Sequence, residues 1–159
     1  MNARSKVIPF SKIKGLCERL RRRGKKLVFT NGTFDILHRG HVAYLERAKQ
    51  LGDILIVGVN SDRSVKSYKG PGRPLNPEGD RARVLAALGC VDYAVIFSEP
   101  TPHRLILEAR PHILAKGADW KKNAIVGAKE VESWRGKVCR IRLVPGRSTT
   151  RLIQKLKSL

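Results

Sequence analysis

The chain has 159 residues, room for one domain of ordinary size and enough length to bury a real core. Its 33 Lys and Arg against 13 Asp and Glu leave a formal net charge of +20, which excludes an acidic solvating protein. That charge puts nucleic acid, anionic lipid and phosphorylated small molecules forward as partners. At 42% apolar residues the composition is that of a folded chain, neither disordered nor low-complexity.

In chain order, residues 10–24 read as a basic N-terminal helix. Ile13, Leu16, Cys17 and Leu20 are helically spaced, and Gly24 suits the position just past a helix end. The run Arg21-Arg22-Arg23-Gly24-Lys25-Lys26 closes that helix, because cations favour a helix C-terminus; the competing readings are a nucleic-acid patch or a targeting signal. Leu27-Val28-Phe29-Thr30 is a short apolar run bounded by turn residues, hence a buried strand. Residues 40–51 place Val42, Leu45, Ala48 and Leu51 on one helical face, and 53–59 form a second strand. Residues 61–79 hold three glycines and three prolines and read as a long loop, a length that inside a compact domain points to function. A helix over 80–89, a strand over 92–97 and a helix over 101–109, opened by Thr101-Pro102, follow. Then come a strand over 112–116, a helix over 126–135, a strand over 138–144 and a helix over 148–159. Alternating strands and helices predict an α/β fold, a Rossmann-like parallel five-stranded sheet with helices on both faces, in a single domain over 1–159.

The charge is not spread evenly. Residues 1–26 carry ten bases and one acid, residues 135–159 eight bases and no acid, and the middle is nearly balanced. Cys17, Cys90 and Cys139 make no CxxC pair, zinc spacing or even disulfide framework, so a cytoplasmic location is expected. With no apolar run of 18 residues and no signal-peptide core, no membrane partner is expected. A homo-oligomer remains open.

In such sheets, ligands bind outside the carboxyl ends of the strands. After the first strand come Thr30, Asn31, Gly32, Thr33, Phe34 and Asp35, then His38-Arg39-Gly40-His41 at a helix start. This is neither a Walker A loop nor GxGxxG. Two imidazoles three residues apart, beside free backbone N–H groups and a positive dipole end, make an anion site, and Gly40 lets a phosphate approach the backbone. A metal pair is the alternative, but no third ligand is nearby and Arg39 would repel a cation. His103 and His112 stand alone and read as ordinary.

The stretch 29–41 resembles the signature of the HxGH nucleotidyltransferase superfamily, T-x-G-x-F-D-x-x-H-x-G-H, with Thr30, Gly32, Phe34, Asp35, His38, Gly40 and His41 in place. The resemblance runs over about 25–158. Asn60-Ser61-Asp62, Arg73-Pro74-Leu75-Asn76-Pro77, Arg81, Val91-Asp92, Lys116-Gly117-Ala118-Asp119-Trp120 and Gly146-Arg147-Ser148-Thr149-Thr150 follow in order. This series is most similar to the branch that adenylylates D-glycero-β-D-manno-heptose 1-phosphate in lipopolysaccharide core synthesis. Close relatives there often have Gly where Ala118 stands and Tyr where Trp120 stands. Many carry the domain behind a sugar kinase, for which 159 residues leave no room.

The resemblance implies that ATP and heptose 1-phosphate give ADP-heptose and pyrophosphate. His38 and His41 would be catalytic, binding the nucleotide phosphates. Ser148, Thr149 and Thr150, with Arg147 and Arg151, would take the triphosphate at the last helix start, where Ser148 can equally be a plain N-cap. Lys116, Gly117, Asp119 and Trp120 would flank base and ribose; a turn with Trp120 packed as core is the other reading. Asp35, Asn60, Asp62, Arg73 and Arg81 are weaker substrate-binding candidates, and 66–77, with Lys66, Lys69 and Arg73, reads either as a lid or as a disordered loop. Mg²⁺ would bridge phosphate oxygens through water, with no protein ligand assigned. A glycerol-3-phosphate cytidylyltransferase of the same superfamily is the first rival. A non-catalytic nucleic-acid-binding module is the second; the scattered aromatics offer no stacking platform, so no nucleic-acid partner is expected. An aminoacyl-tRNA synthetase fragment would be longer and carry a second signature loop.

Overall fold

The short apolar runs form five parallel strands in one sheet in the computed structural model, which describes residues 2–146 and 148–158, the Lys157 side chain excepted. They are β1 (Leu27–Gly32), β2 (Ile54–Asn60), β3 (Tyr93–Phe97), β4 (Ile113–Gly117) and β5 (Lys137–Ile141), in the spatial order β3-β2-β1-β4-β5. β1 pairs along its length with β2, from Leu27 opposite Ile54 to Gly32 opposite Val59, and on its other side with β4. The chain therefore winds outward twice from β1, and the direction reverses between β1 and β4. Their carboxyl ends diverge into the crevice where doubly wound sheets hold ligands.

The two-residue period of the strands divides the core. Val28, Leu55, Val57 and Val59 face α3 (Arg39–Lys49) and α5 (Glu78–Ala87), through Leu45, Ala48, Ala82 and Leu85. Leu27, Phe29, Ile56 and Leu114 face the opposite layer. There α2 (Ile13–Arg22) contributes Ile13, Cys17 and Leu20, α6 (His103–Ala109) contributes Leu105 and Ile106, and α7 (Ala128–Ser133) contributes Val131. Burying each such aliphatic side chain contributes about 1.5–3 kcal/mol. Gly52 is required for space, since a β-carbon there would lie 2.7 Å from the Lys26 carbonyl oxygen.

Several expectations need correction. Residues 61–79 are not one loop: α4 (Asp62–Lys69) occupies the first half. Only Ser64 and Val65 of this helix are buried, so it shows no apolar period; capping holds it instead, Ser61 Oγ accepting from Ser64 N at 3.2 Å and Glu78 Oε2 from Asp62 N at 2.7 Å. β5 ends at Ile141 rather than 144, which frees Leu143 and Val144 for the crevice. The helix read over 126–135 is the shorter α7. Ahead of the predicted basic helix, α1 (Ala3–Lys6) leads into Val7 and Ile8, which bridge to Ala94 on the outer edge of β3. The last helix, α8 (Thr149–Lys157), leaves Leu152 and Leu156 exposed. Among the described residues no helix is long and apolar enough to cross a membrane.

Candidate active site

β1 leaves the core on a polar run. Thr30 is fully buried and shares a 2.8 Å hydrogen bond with the hydroxyl of Tyr44, one turn past His41 on α3. Asn31 Oδ1 is buried with no hydrogen-bond partner. Phe34 sits at φ 49°, and its ring would lie 3.0 Å from a β-carbon at position 32, so any side chain there would press on that ring.

Asp35 fixes the following turn. Its carboxylate accepts from Arg73 Nε at 2.8 Å, from the Leu75 amide at 2.8 and 2.9 Å and from the Asn76 amide at 2.9 Å. Burial pushes the Asp35 carboxyl up, but the Asn76 and Leu75 amides and the Arg73 guanidinium outweigh it and hold it below its ordinary value. Arg81 is also buried and donates to the carbonyls of Thr33, Asn60 and Asn76 and to Asp62. Asp35 lines the crevice, while Arg73, Arg81 and Asp62 line neither it nor the cleft beside it; with Asp35 they form a scaffold that ties α4 and the 70–77 loop to the end of β1. Residues 73–76 are accordingly held against the end of β1.

His38 is the N-cap of α3, in extended conformation, and its Nδ1 accepts from the His41 amide at 3.4 Å. The two rings stack at 3.8 Å with 16° between their planes, and Phe34 meets His41 edge-on at 5.3 Å. Burial first, then His38 and Lys69, lower the His41 pKa to about 4; the Ile36 backbone opposes this, although His41 Nδ1 makes no hydrogen bond of acceptable geometry. At neutral pH, His41 is an uncharged donor beside the N-terminus of α3.

Across the crevice stands the N-terminus of α8. Ser148 caps it, Oγ accepting from the Arg151 amide at 3.2 Å, and Thr149 Oγ1 reaches the Ile36 carbonyl at 3.3 Å. Ser148, Thr149 and Thr150 all line the crevice, while Arg147 lies outside the described residues. From the end of β4, Lys116 and Gly117 form the floor, and Asp119 and Trp120 the side. Trp120 is not core: it is 47% exposed, with Lys116 Nζ 5.4 Å above its ring. Burial, partly offset by Asp119, lowers the Lys116 pKa to about 8.

These groups enclose about 350 Å³. A second cleft of about 400 Å³ lies against the first and shares Asn31, Gly32, Thr33, Lys69, Lys116 and Trp120 with it. Asn60 and Tyr68 belong to that second cleft, where Tyr68 and Thr33 join hydroxyls at 2.5 Å. Sequence reasoning missed Tyr44, Tyr68, Leu143 and Val144. Tyr44 could have been found from its spacing of three from His41; the others depend on α4 and on where β5 ends. Of the histidines set aside, His103 pairs with Glu130 at 2.8 Å, and His112 is exposed, its Nδ1 accepting from the Leu27 amide at 2.9 Å.

Two adjoining clefts, walled by lysines and flanked by two helix N-termini, can hold two phosphorylated molecules side by side. The chain is 55% identical over 138 residues to the bifunctional protein HldE of Methylobacillus flagellatus, covering 87% of this chain and 28% of that one. It is 51% identical to the bifunctional protein HldE of Syntrophotalea carbinolica, over 96% of this chain and 31% of that one, so it spans under a third of either relative. The crystal structure of a lipopolysaccharide core biosynthesis protein from Thermoplasma volcanium superposes with a TM-score of 0.60 at 30% identity, over 76% of this chain and 98% of that one. A family model described as cytidylyltransferase-like matches residues 29–155, and the chain belongs to that family.

Proposed function

We propose that the chain is a nucleotidyltransferase that joins ATP to D-glycero-β-D-manno-heptose 1-phosphate, releasing pyrophosphate. The observation that carries the reading is the stacked His38–His41 pair at the start of α3, facing the capped start of α8 across one cleft and sharing a wall of Lys69 and Lys116 with a second. The motif series over 25–158 and the likeness to a lipopolysaccharide core biosynthesis protein favour the heptose branch.

The chemistry asks little of a base. A sugar phosphate monoester has a second pKa near 6 by analogy with phosphoserine, so at pH 7 it is mostly a dianion. One of its oxygens attacks the α-phosphorus, the bond from that phosphorus to the bridging oxygen breaks, and pyrophosphate leaves with the electron pair. The protein's part is positioning and stabilising charge on phosphoryl oxygens. In the first cleft His41 donates from its neutral ring to the α-phosphate, and His38 holds the ring stack. Ser148, Thr149 and Thr150 present amides and hydroxyls to the β- and γ-phosphates. Lys116, Gly117, Asp119 and Trp120 flank the nucleoside, and Gly40 and Gly32 let phosphate approach the main chain. The sugar phosphate enters the second cleft, with Lys69 and Lys116 against its phosphate and Asn60, Thr33 and Asn31 near its hydroxyls. Among the described residues no three His, Cys, Asp or Glu side chains are grouped to hold a metal; Mg²⁺ would be held by oxygens of the triphosphate.

The test is a pyrophosphate-release assay with Mg²⁺, ATP or CTP, and a panel of sugar 1-phosphates and glycerol 3-phosphate. Release with ATP and heptose 1-phosphate is expected. Release only with CTP and glycerol 3-phosphate overturns the proposal.

A further inference from the structure

The basic N-terminal segment leads away from the crevice. α2, α6 and α7 all end at the opposite pole of the sheet, near the amino ends of β1, β4 and β5. Between these ends lies a pocket of about 330 Å³, lined by Arg21, Arg110, His112, Trp134 and Arg135. Among the described residues, none of its three arginines lies within ion-pair distance of a carboxylate.

Part of this cluster serves the fold. Arg21 Nη1 donates to the Ala109 carbonyl at 2.7 Å and the Arg110 carbonyl at 3.1 Å, capping α6. Among the described residues its Nε and Nη2 make no hydrogen bond to the main chain, and neither do the guanidiniums of Arg110 and Arg135. Both sit in the left-handed region, at φ 43° and 65°, where glycine is the least costly residue, yet both carry a charge. The helix C-termini offset some of it. They do not remove the repulsion between three guanidiniums around one concavity. His112 adds a donor: its Nδ1 accepts from Leu27, so the ring proton is on Nε2. Arg22, Arg23, Lys25, Lys26 and Lys137 are exposed nearby in the chain, with Asp53 the acid that acts on His112.

We propose that this pocket is a second anion site, separate from the crevice, that binds a small oligophosphate through the guanidiniums of Arg21, Arg110 and Arg135. Forked donors converging on a concave site match phosphoryl oxygens. A nucleic-acid strand fits less well. Trp134 is half-buried, its N–H is committed to the Pro111 carbonyl at 3.0 Å, and Arg110 lies 5.7 Å above its ring, so it offers no open face for a base.

The chain has two tryptophans, so Trp120→Phe leaves Trp134 as a fluorescent reporter within the pocket. Titration with phosphate, pyrophosphate and tripolyphosphate at constant ionic strength should give a saturable change that tightens with phosphate number. Arg110→Gly with Arg135→Gly removes two charges while keeping the backbone preference, and should weaken binding by about tenfold or more. Binding confined to the crevice would survive that double change, so an undiminished response overturns the proposal. So does an absence of saturation at millimolar tripolyphosphate, or a response to a single-stranded oligonucleotide alone.

Discussion

Asp35 belongs to the signature that points to phosphate chemistry and lines the crevice, yet its carboxylate is spent on the scaffold, and its removal measures that structural role. Its side chain is 1% exposed and that of its partner Arg73 18% exposed. Asp35→Ala strands a guanidinium and two main-chain amides, those of Leu75 and Asn76. Breaking a buried ion pair from one side costs about 3–5 kcal/mol, and each unsatisfied amide about 1–3 kcal/mol. Leu75 itself is 54% exposed, so water reaches these amides and the lower end applies. A loss of about 3–4 kcal/mol is expected for Asp35→Ala and about 2 kcal/mol for Asp35→Asn, which retains one acceptor. Urea unfolding followed by circular dichroism gives both from the midpoints at constant slope. The pH dependence has a definite sign. The Asp35 pKa is lower folded than unfolded, so its contribution is complete above the unfolded value of about 3.9 and is lost as pH falls through the folded one. The gap between wild type and Asp35→Ala should stay constant from about pH 8 to pH 5 and narrow only below about pH 4. An Asp35→Ala protein within about 1 kcal/mol of wild type, or a gap that closes by about pH 6, would refute this account.

Three further outcomes test the crevice. Replacing His41 by Ala should lower turnover by about 10²-fold, the usual loss for one donor aimed at developing phosphoryl or oxyanion charge, and a variant within about threefold of wild type removes the assigned role. His41 titrates at about 4 in the folded chain against 6.5 as a free side chain, so the fold resists its protonation and this group's cost rises as pH falls through that window. Thermal melts of His41→Gln should therefore lose less than wild type between pH 7 and about pH 4, and parallel curves would contradict the burial argument. Lys116, at about 8, sheds its charge in mild alkali, so the KM for heptose 1-phosphate should rise from about pH 7 to pH 9 in wild type and stay flatter in Lys116→Arg; equal slopes would place Lys116 away from that phosphate.

The strand-helix alternation and the HxGH junction could be read from the chain because both are local. An apolar run between turn residues has few alternatives to a buried strand, and a histidine before a glycine at a helix start is a capping pattern as well as an anion site. What could not be read depends on tertiary pairing. α4 has two buried residues and no apolar stripe, and it stands through Ser61, Glu78 and the Tyr68–Thr33 contact, whose partners lie up to 35 residues away. Leu143 and Val144 follow Ile141 across Arg142 and look like strand, but the ladder with β4 stops at Ile141 opposite Gly117, and they turn to the cleft. Arg81 and Arg73 look like surface or substrate-facing cations because sequence spacing cannot show the buried carbonyls and the carboxylate that hold them.

The opening charge of +20 acquires a geometry from these contacts. It is weakest where a phosphorylated substrate would bind. Burial and the neighbouring His38 and Lys69 keep the His41 ring uncharged, and burial lowers both Lys116 and Lys69. In this crevice the positive charge is conditional: His41 is neutral at pH 7, and Lys116, at about 8, is charged there but loses its proton in mild alkali. An arriving polyanion raises the proton affinity of both groups, so binding strengthens the charge where phosphoryl oxygens sit. Such a site rewards a ligand whose charges coincide with its few donors and does little for a diffuse anion. At the other pole the reverse holds. Arg21, Arg110 and Arg135 keep their charge whatever surrounds them, because guanidinium does not deprotonate in proteins. The excess that first suggested nucleic acid is thus of two kinds, permanent guanidinium charge at this pole and, in the crevice, histidine and lysine charge that burial has weakened.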